Sequence, residues 1–372
     1  MATKFSIRLV LTMIFGLAWS IAWSQNPNND PNWQLVFADE FSSTSVNANL
    51  WCRHDHRKYG HGSLETTAYR SDNNDNLSFG GGNIVQIVRA ESITDTNQNV
   101  VTHVTEPWTY DYSAPSMMIS QQKFKYGYFE IRCKLPDLPN GKTNHGIGPN
   151  FWLWWHDENP SFEEMSEIDI FEFVSRGGTS HVQTHNAHYD DSSGTGVYDE
   201  QVVPNNELPS PDFSQFHTFA CHWTPEFIKY YLDDREFHHT TFFSRQMIPQ
   251  RIIVDINVFF VNEPIDQTTL LPYEYEIDYV RVYKLKNGHC NTDYVNCTPN
   301  LLQNSVYRNV RLGGGCTYIQ PVGTKRTIWA SNSVTINGDY TVPVGADLTL
   351  DYSPCYQQEV HSCNAQDCIQ CR

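Results

Sequence analysis

The feature that most constrains this chain is a long succession of short, β-rich runs with no helical period between them. Runs at 33–37, 83–88, 126–135, 150–155, 168–174, 216–223, 227–232, 251–260 and 275–285 each have the length of one strand. They are rich in Val, Ile, Phe, Tyr or Trp and stop at Gly, Asn, Asp or Pro, which end strands in turns. Nowhere do apolar residues recur at a 3.6-residue spacing over a long stretch, so helix has little place. That many short strands over about 250 residues fit one antiparallel sandwich better than several domains. Such a sandwich buries alternate residues and leaves the others to line an outer face. The expectation is an all-β fold.

Composition narrows the partners. Aromatic residues reach 13% and charged residues only 18%, the reverse of a disordered chain. Acidic side chains outnumber basic ones 42 to 25, giving a formal net charge of −17. Phosphate-rich surfaces attract clustered Lys and Arg, so neither nucleic acid nor an anionic membrane is an expected partner. A neutral ring-shaped ligand is compatible, because Trp and Tyr faces stack on sugars without needing charge.

The first 24 residues read as a signal peptide. Lys4 and Arg8 form a basic start, an apolar run follows from Leu9 to Ala22, and Ala22-Trp23-Ser24 is a small-x-small cleavage site before Gln25. The run is too short for a comfortable membrane span. The expected location is secreted or cell-surface, with no membrane insertion after cleavage. Cysteine usage agrees: Cys52, Cys133 and Cys221 lie in the first 286 residues, and Cys290, Cys297, Cys316, Cys355, Cys363, Cys368 and Cys371 in the last 86. A cysteine-rich tail on an exported chain reads as a disulfide framework. Odd counts in both parts leave either an unpaired thiol or a bridge between them.

The expected organisation is therefore a signal peptide at 1–24, a large β-sandwich at 25–286, a polar linker at 287–300 and a small Cys-rich β module at 301–372. Asn337-Gly338 between two short apolar runs is a hairpin signal within that module. No internal repeat is evident.

The chemistry sits in Ser166-Glu167-Ile168-Asp169-Ile170-Phe171-Glu172-Phe173. In a regular strand Glu167 and Asp169 share a face and Glu172 points the opposite way. A single β-bulge after Asp169 brings all three carboxylates to one face. Like charges so close cannot all ionise freely, and a fold tolerates them for a metal, a basic partner or a catalytic use. Retaining glycoside hydrolysis needs two carboxyl groups roughly 5 Å apart. Glu167 is the expected nucleophile and Glu172 the acid/base. Asp169 between them orients Glu167 and separates the two pKa values. With 42 acids in 372 residues, such a triplet arises by chance about once in two chains of this length, so context decides.

The context resembles glycoside hydrolase family 16, the laminarinases, lichenases, agarases and carrageenases. The matching pieces are Val36-Phe37-Ala38-Asp39-Glu40-Phe41, Asn49-Leu50-Trp51, the run 125–135 with Tyr126-Gly127 and Glu130-Ile131-Arg132, and Pro149-Asn150-Phe151-Trp152-Leu153-Trp154. Phe216-His217-Thr218-Phe219, Trp223-Thr224-Pro225 and the run 277–283 complete the series. The resemblance covers about 33–285 and implies a concanavalin-like β-jelly-roll sandwich, here with a small C-terminal β module. It implies a polysaccharide substrate, first a β-1,3- or mixed-linked glucan and second an algal galactan such as agar, porphyran or carrageenan. A glycan-binding lectin is the non-enzyme alternative. Family position makes Trp152 a sugar platform, adds Trp223, and matches His188 to a cleft histidine; ordinary packing is the competing reading. No cofactor is required. A structural Ca²⁺ is an option through residues matching Glu40, the backbone near Gly82, and Asp278. Ser166, Phe171 and the run 256–260 depart from the laminarinase pattern at positions that border the cleft in family members. His54, His56 and His61 favour a glycan-contacting or exposed loop over a zinc site. The C-terminal module is expected to serve surface attachment rather than catalysis.

Overall fold

A computed structural model describes residue 27 and residues 33–54, 68–71, 74–99, 102–154, 166–176, 179–189, 196–204, 212–224, 227–240, 249–258, 264–285, 293–296, 307–352 and 359–361. Strands dominate the described residues, among which there is no α-helix. They form two compact units, one of residues 35–282 with the strand Glu359–His361, the other carrying the strands between 293 and 352.

The larger unit is the expected sandwich. One sheet runs in the order Arg235–Thr240, Ile228–Leu232, His217–Trp223, Gly127–Lys134, Tyr273–Leu285, Asn83–Gln98, Thr105–Pro115 and Tyr69–Ser71, with Leu77–Gly80 added along Asn83–Gln98. The facing sheet runs Gly196–Pro204, Thr179–Tyr189, Ser166–Arg176, Ile147–Trp154, Gln250–Val258, Met117–Lys125 and Trp51–His54. Its neighbours are all antiparallel.

The core between the sheets is aromatic and aliphatic. Ile131, Phe219 and Ile277 from one sheet meet Leu153, Ile168, Phe171 and Val254 from the other. Phe171 stacks on Phe219 with ring centroids 4.2 Å apart, and Phe124 meets Phe129 edge-on at 5.9 Å. Each such pair adds about 0.5–1.5 kcal/mol beyond the area it buries. Tyr126 and Gly127 mark where the chain crosses from one sheet to the other, between Met117–Lys125 and Gly127–Lys134. Both have positive φ, 66° and 123°. The second lies where a side chain is strongly disfavoured, so a glycine suits that corner.

Phe171 is the first correction to the sequence reading. It does not border a cleft; it is fully buried and belongs to the inter-sheet stack.

The tail is the second. The strand Glu359–His361, expected within a module at 301–372, pairs antiparallel with Lys123–Lys125 of the large sandwich, and Val360 packs on the main core. Met117–Lys125 is thus covered along one edge by Trp51–His54 and then by the tail strand.

The smaller unit is a stack of parallel strands, Asp293–Asn296, Tyr307–Ile319, Lys325–Thr341 and Asp347–Tyr352. Its own core holds Val310, Leu312, Ile328 and Ala330. Asn337-Gly338 is not a hairpin turn: both residues lie inside the strand Lys325–Thr341. They sit beside an irregularity between Gly313 and Thr317 on the neighbouring strand. There a Cβ at Gly313 would come within 1.7 Å of the Asn337 carbonyl oxygen. Here it is Gly313, beside Asn337, that the close backbone approach requires. A repeat missed in the sequence also emerges. Pro321-Val322-Gly323 and Pro343-Val344-Gly345 are equivalent turns, joined by a hydrogen bond from Gly323 N to Gly345 O of 2.9 Å. Lys325 to Ala330 pair one-for-one with Asp347 to Tyr352 behind them.

Truncating Phe171 removes a ring buried on both sides. Phe171→Ala is expected to destabilise the protein by about 3–5 kcal/mol, read as a fall in the denaturant midpoint. A loss below about 1 kcal/mol would contradict this packing.

Candidate active site

The three carboxylates reach one face through the expected bulge. Along Ser166–Arg176, Asp169 pairs with His185 and Glu172 with Gln183, so three steps on one strand match two on its neighbour. On the other side, Asp169 pairs with Trp152, Phe171 with Phe151 and Glu172 with Asn150. The extra residue lets Ile170 and Phe171, adjacent in sequence, both enter the core at 1% and 0% exposure. Ile168 and Phe173 flank them inside. Glu167, Asp169 and Glu172 occupy the opposite face.

Beside the carboxylates lies a second row. Trp154 stands opposite Glu167, Trp152 opposite Asp169 and Asn150 opposite Glu172. The two indoles meet at 5.3 Å, inclined by 65°, over Met117, Ile119 and Ile253. A third row on Gln250–Val258 sets Arg251 opposite Trp154, Ile253 opposite Trp152 and Asp255 opposite Asn150. A single oxygen, Asp255 Oδ1, accepts hydrogen bonds from Trp152 Nε1 at 3.2 Å and Asn150 Nδ2 at 3.4 Å. Arg70 Nη1 lies 3.5 Å from Asp255 Oδ2, and Arg70 Nη2 donates to Asn257.

The electrostatics follow from crowding and burial. Asp169 is buried, and its pKa is pushed well above the ordinary carboxylate range, first by desolvation and then by the Glu172 charge. A hydrogen bond with Glu167 pulls it the other way, and Asp255 adds to the rise. A proton is therefore held on the Asp169–Glu167 pair at pH values where an isolated Asp has lost it. Asp255 is raised too by burial, with Arg70 as the largest opposing influence.

The remaining expected site residues divide. Trp152 belongs to the carboxylate face. Trp223 does not: it is fully buried in the opposite sheet, packed against Tyr126 and Phe129 at 5.2 and 6.2 Å. His188 pairs with Ser166, whereas His185 is the histidine in register with Asp169. Ser166 is buried and lies 2.5 Å from its donor, Gln250 Nε2. Trp155, Phe259, Phe260, His56 and His61 lie outside the described residues, and His54 is buried on Trp51–His54.

The side chains expected to hold calcium do not fit an ion. Both Glu40 oxygens accept from Arg281, at 2.7 Å each, and Asp278 is paired with Arg132. A carboxylate turned onto a guanidinium has little charge left for a cation. Among the described residues no group of three His, Cys, Asp or Glu is placed to hold a metal ion.

Asn150, Asp255 and Arg70 are the residues the sequence reading missed. A lone acid inside the apolar run 251–258 was a usable signal for Asp255, and alternation from Trp152 for Asn150. Arg70, distant in sequence, carried none.

Chemically, a face with two half-buried glutamates around a buried aspartate, beside an aromatic platform, suits acid/base and nucleophilic work on a sugar. The comparisons agree. The family model for Glycosyl hydrolases family 16 matches residues 83–303. A β-glucanase of Rhodothermus marinus is 24% identical over 310 residues, 74% of this chain and 93% of that protein. The laminarinase catalytic domain of Thermotoga maritima is 27% identical, with a TM-score of 0.53 over 68% of this chain and 98% of that one. An endo-β-1,3-glucanase of Pyrococcus furiosus is also 27% identical, with a TM-score of 0.52 over 68% and 94%.

Two measurements check this placement. Trp152→Ala is expected to raise KM at least several-fold and to cost less stability than Trp223→Ala, which should lower it by about 3–5 kcal/mol. Chelation with EDTA should leave the melting temperature unchanged, because a ligand that stabilises by mass action is not expected at Glu40 and Asp278. A fall on chelation would restore the ion.

Proposed function

Because the chain belongs to glycosyl hydrolases family 16, we propose that it is an exported, retaining endo-β-glucanase acting on β-1,3- or mixed-linked glucan through Glu167, Asp169 and Glu172. The observation that carries this reading is the bulge that puts the three carboxylates on one face, in register with Trp152. The relatives' names, β-glucanase, laminarinase and endo-β-1,3-glucanase, favour glucan over the galactan alternative.

The mechanism runs in two displacements. Glu167 attacks the anomeric carbon as the glycosidic C–O bond breaks, and Glu172 gives its proton to the departing oxygen. Glu172 then takes a proton from water, which attacks the same carbon and releases Glu167. Asp169, holding a proton shared with Glu167, lowers the cost of keeping two more acids beside it. As the Glu167 charge is consumed on bonding, that proton is free to settle on Asp169. The Trp152 face stacks on the sugar ring and holds it over the carboxylates.

Export rests on the 1–24 leader. Disulfide bonding is supported by Cys52, which is engaged in a disulfide, while Cys133 and Cys221 are free buried thiols. We assign the partner of Cys52 to one of the cysteines from Cys290 onward, the Cys-rich part of the chain. The independent core of the parallel stack supports a separate role for that unit, which we assign to surface attachment.

Glu167→Gln should lose turnover by at least a thousandfold with the melting temperature retained, and Asp169→Asn should be milder. The assignment of the nucleophile would be overturned by full activity in Glu167→Gln. Product formed early should have the β-anomeric configuration by NMR. Peptide mapping without reduction is expected to link Cys52 to a cysteine beyond residue 286.

A further inference from the structure

Asp255 has no part in the double displacement, yet it is a wholly buried acid at the edge of the carboxylate face. Burying a carboxylate is costly unless something specific compensates it. Here the compensation comes from three residues on two strands. Arg70 approaches from Tyr69–Ser71, and Asn150 and Trp152 reach across from Ile147–Trp154. Both donors from Ile147–Trp154 converge on the same oxygen.

That convergence has a consequence for Asn150. Its Nδ2 is committed to Asp255, so its Oδ1 must point elsewhere, and this oxygen is buried without a hydrogen-bond partner. Asn150 is 2% exposed and stands directly opposite Glu172. A buried carbonyl oxygen lacking a donor costs about 1–3 kcal/mol. It recovers that cost when a neighbour presents a proton. A protonated Glu172 is such a neighbour; an ionised one is a second acceptor and repels it.

We propose that Asp255 is a positioning residue that locks the Asn150 side-chain amide with its oxygen toward Glu172, so that the acid/base is kept in its proton-bearing form for the first displacement. This rests on the assignment of Glu172 above. Without Asp255 the amide is free to flip and offer its NH₂ group, which favours the ionised carboxylate. Losing the nearby negative charge acts in the same direction. The other titratable and charged residues near Glu172 are Asp169 and Glu167 on its own strand and Arg251 and Arg70 beyond the tryptophan row; on the neighbouring strand the register sets Gln183 opposite Glu172 and His185 opposite Asp169. None of these is itself replaced below, and the one that loses a partner in Asp255→Asn, Arg70, then also favours an ionised Glu172.

The sign is fixed. An acceptor facing Glu172 raises its pKa, so its loss lowers it. Asp255→Asn should move the basic limb of the kcat/KM profile on glucan toward lower pH by about half a unit to one unit, with the acidic limb less affected. Asn150→Ala should shift the basic limb the same way by a smaller amount, and the double variant should shift no further than Asp255→Asn alone. A second readout separates positioning from damage. On an oligoglucoside with a dinitrophenolate leaving group, departure needs no proton, and Asp255→Asn should retain most of its first-step rate. An unmoved basic limb, or equal losses on both substrates, would overturn the proposal. If Asp255→Asn fails to fold, the same two measurements on Asn150→Ala decide. Failure of the Glu172 assignment looks different: a Glu172→Gln protein would keep its activity on glucan.

Discussion

One inserted residue at Ile170 is the constraint on which the active face depends. Strand geometry alternates side chains strictly, so a chain cannot place Glu167, Asp169 and Glu172 outward without breaking the alternation somewhere. The break falls where it is least costly. Two successive apolar side chains, Ile170 and Phe171, turn into the core, and Phe171 recovers a stacked contact with Phe219 at 4.2 Å. The irregularity on the outer face is thus held by packing on the inner face. Precision in the carboxylate row comes from the sandwich beneath it.

The second constraint is charge. Three acids in a row, with a fourth at Asp255 nearby, cannot be ionised together in a place this dry. The structure meets this with graded environments. Asp169, most buried, is pushed toward its protonated form, while Glu167 and Glu172 keep partial contact with solvent. Asp255 has Arg70 beside it. The tendency of Asp169 to keep its proton follows from its burial and its acidic neighbours, with no special residue type involved.

Much of this was legible in the sequence, for identifiable reasons. The strand content, the sandwich and the bulge after Asp169 all follow from period-two patterning, which is a local property. Trp152 and the carboxylates were readable because they share short runs. What was not legible depends on long-range pairing. Trp223 looked like a platform because aromatics serve both cores and clefts, and only the sheet order places it in the core. Arg70 and Asp255 are 185 residues apart, and no local pattern joins them. Asn337-Gly338 has the composition of a hairpin turn, but in the parallel stack it lies within a strand, with the Asn337 backbone close to Gly313. The Pro-Val-Gly repeat is too short to stand out before its two turns are seen side by side.

The strand near the C-terminus changes how the chain as a whole is understood. An edge strand exposes unpaired amides and carbonyls, and proteins cover such edges. Met117–Lys125 carries Ile119 of the apolar patch under Trp152 and Trp154, and backbone carbonyls of Ser120 and Gln121 accept from Arg251 at 3.0 and 2.5 Å. Its order therefore bears directly on the floor of the site. Trp51–His54 covers the half nearest the patch, and Glu359–His361 covers the other half, with Val360 reaching the main core. Residues from near both ends of the chain thus close one edge of the sheet that carries the carboxylates. The last segment is part of the catalytic sandwich by its pairing, even though the parallel stack intervenes before it in sequence.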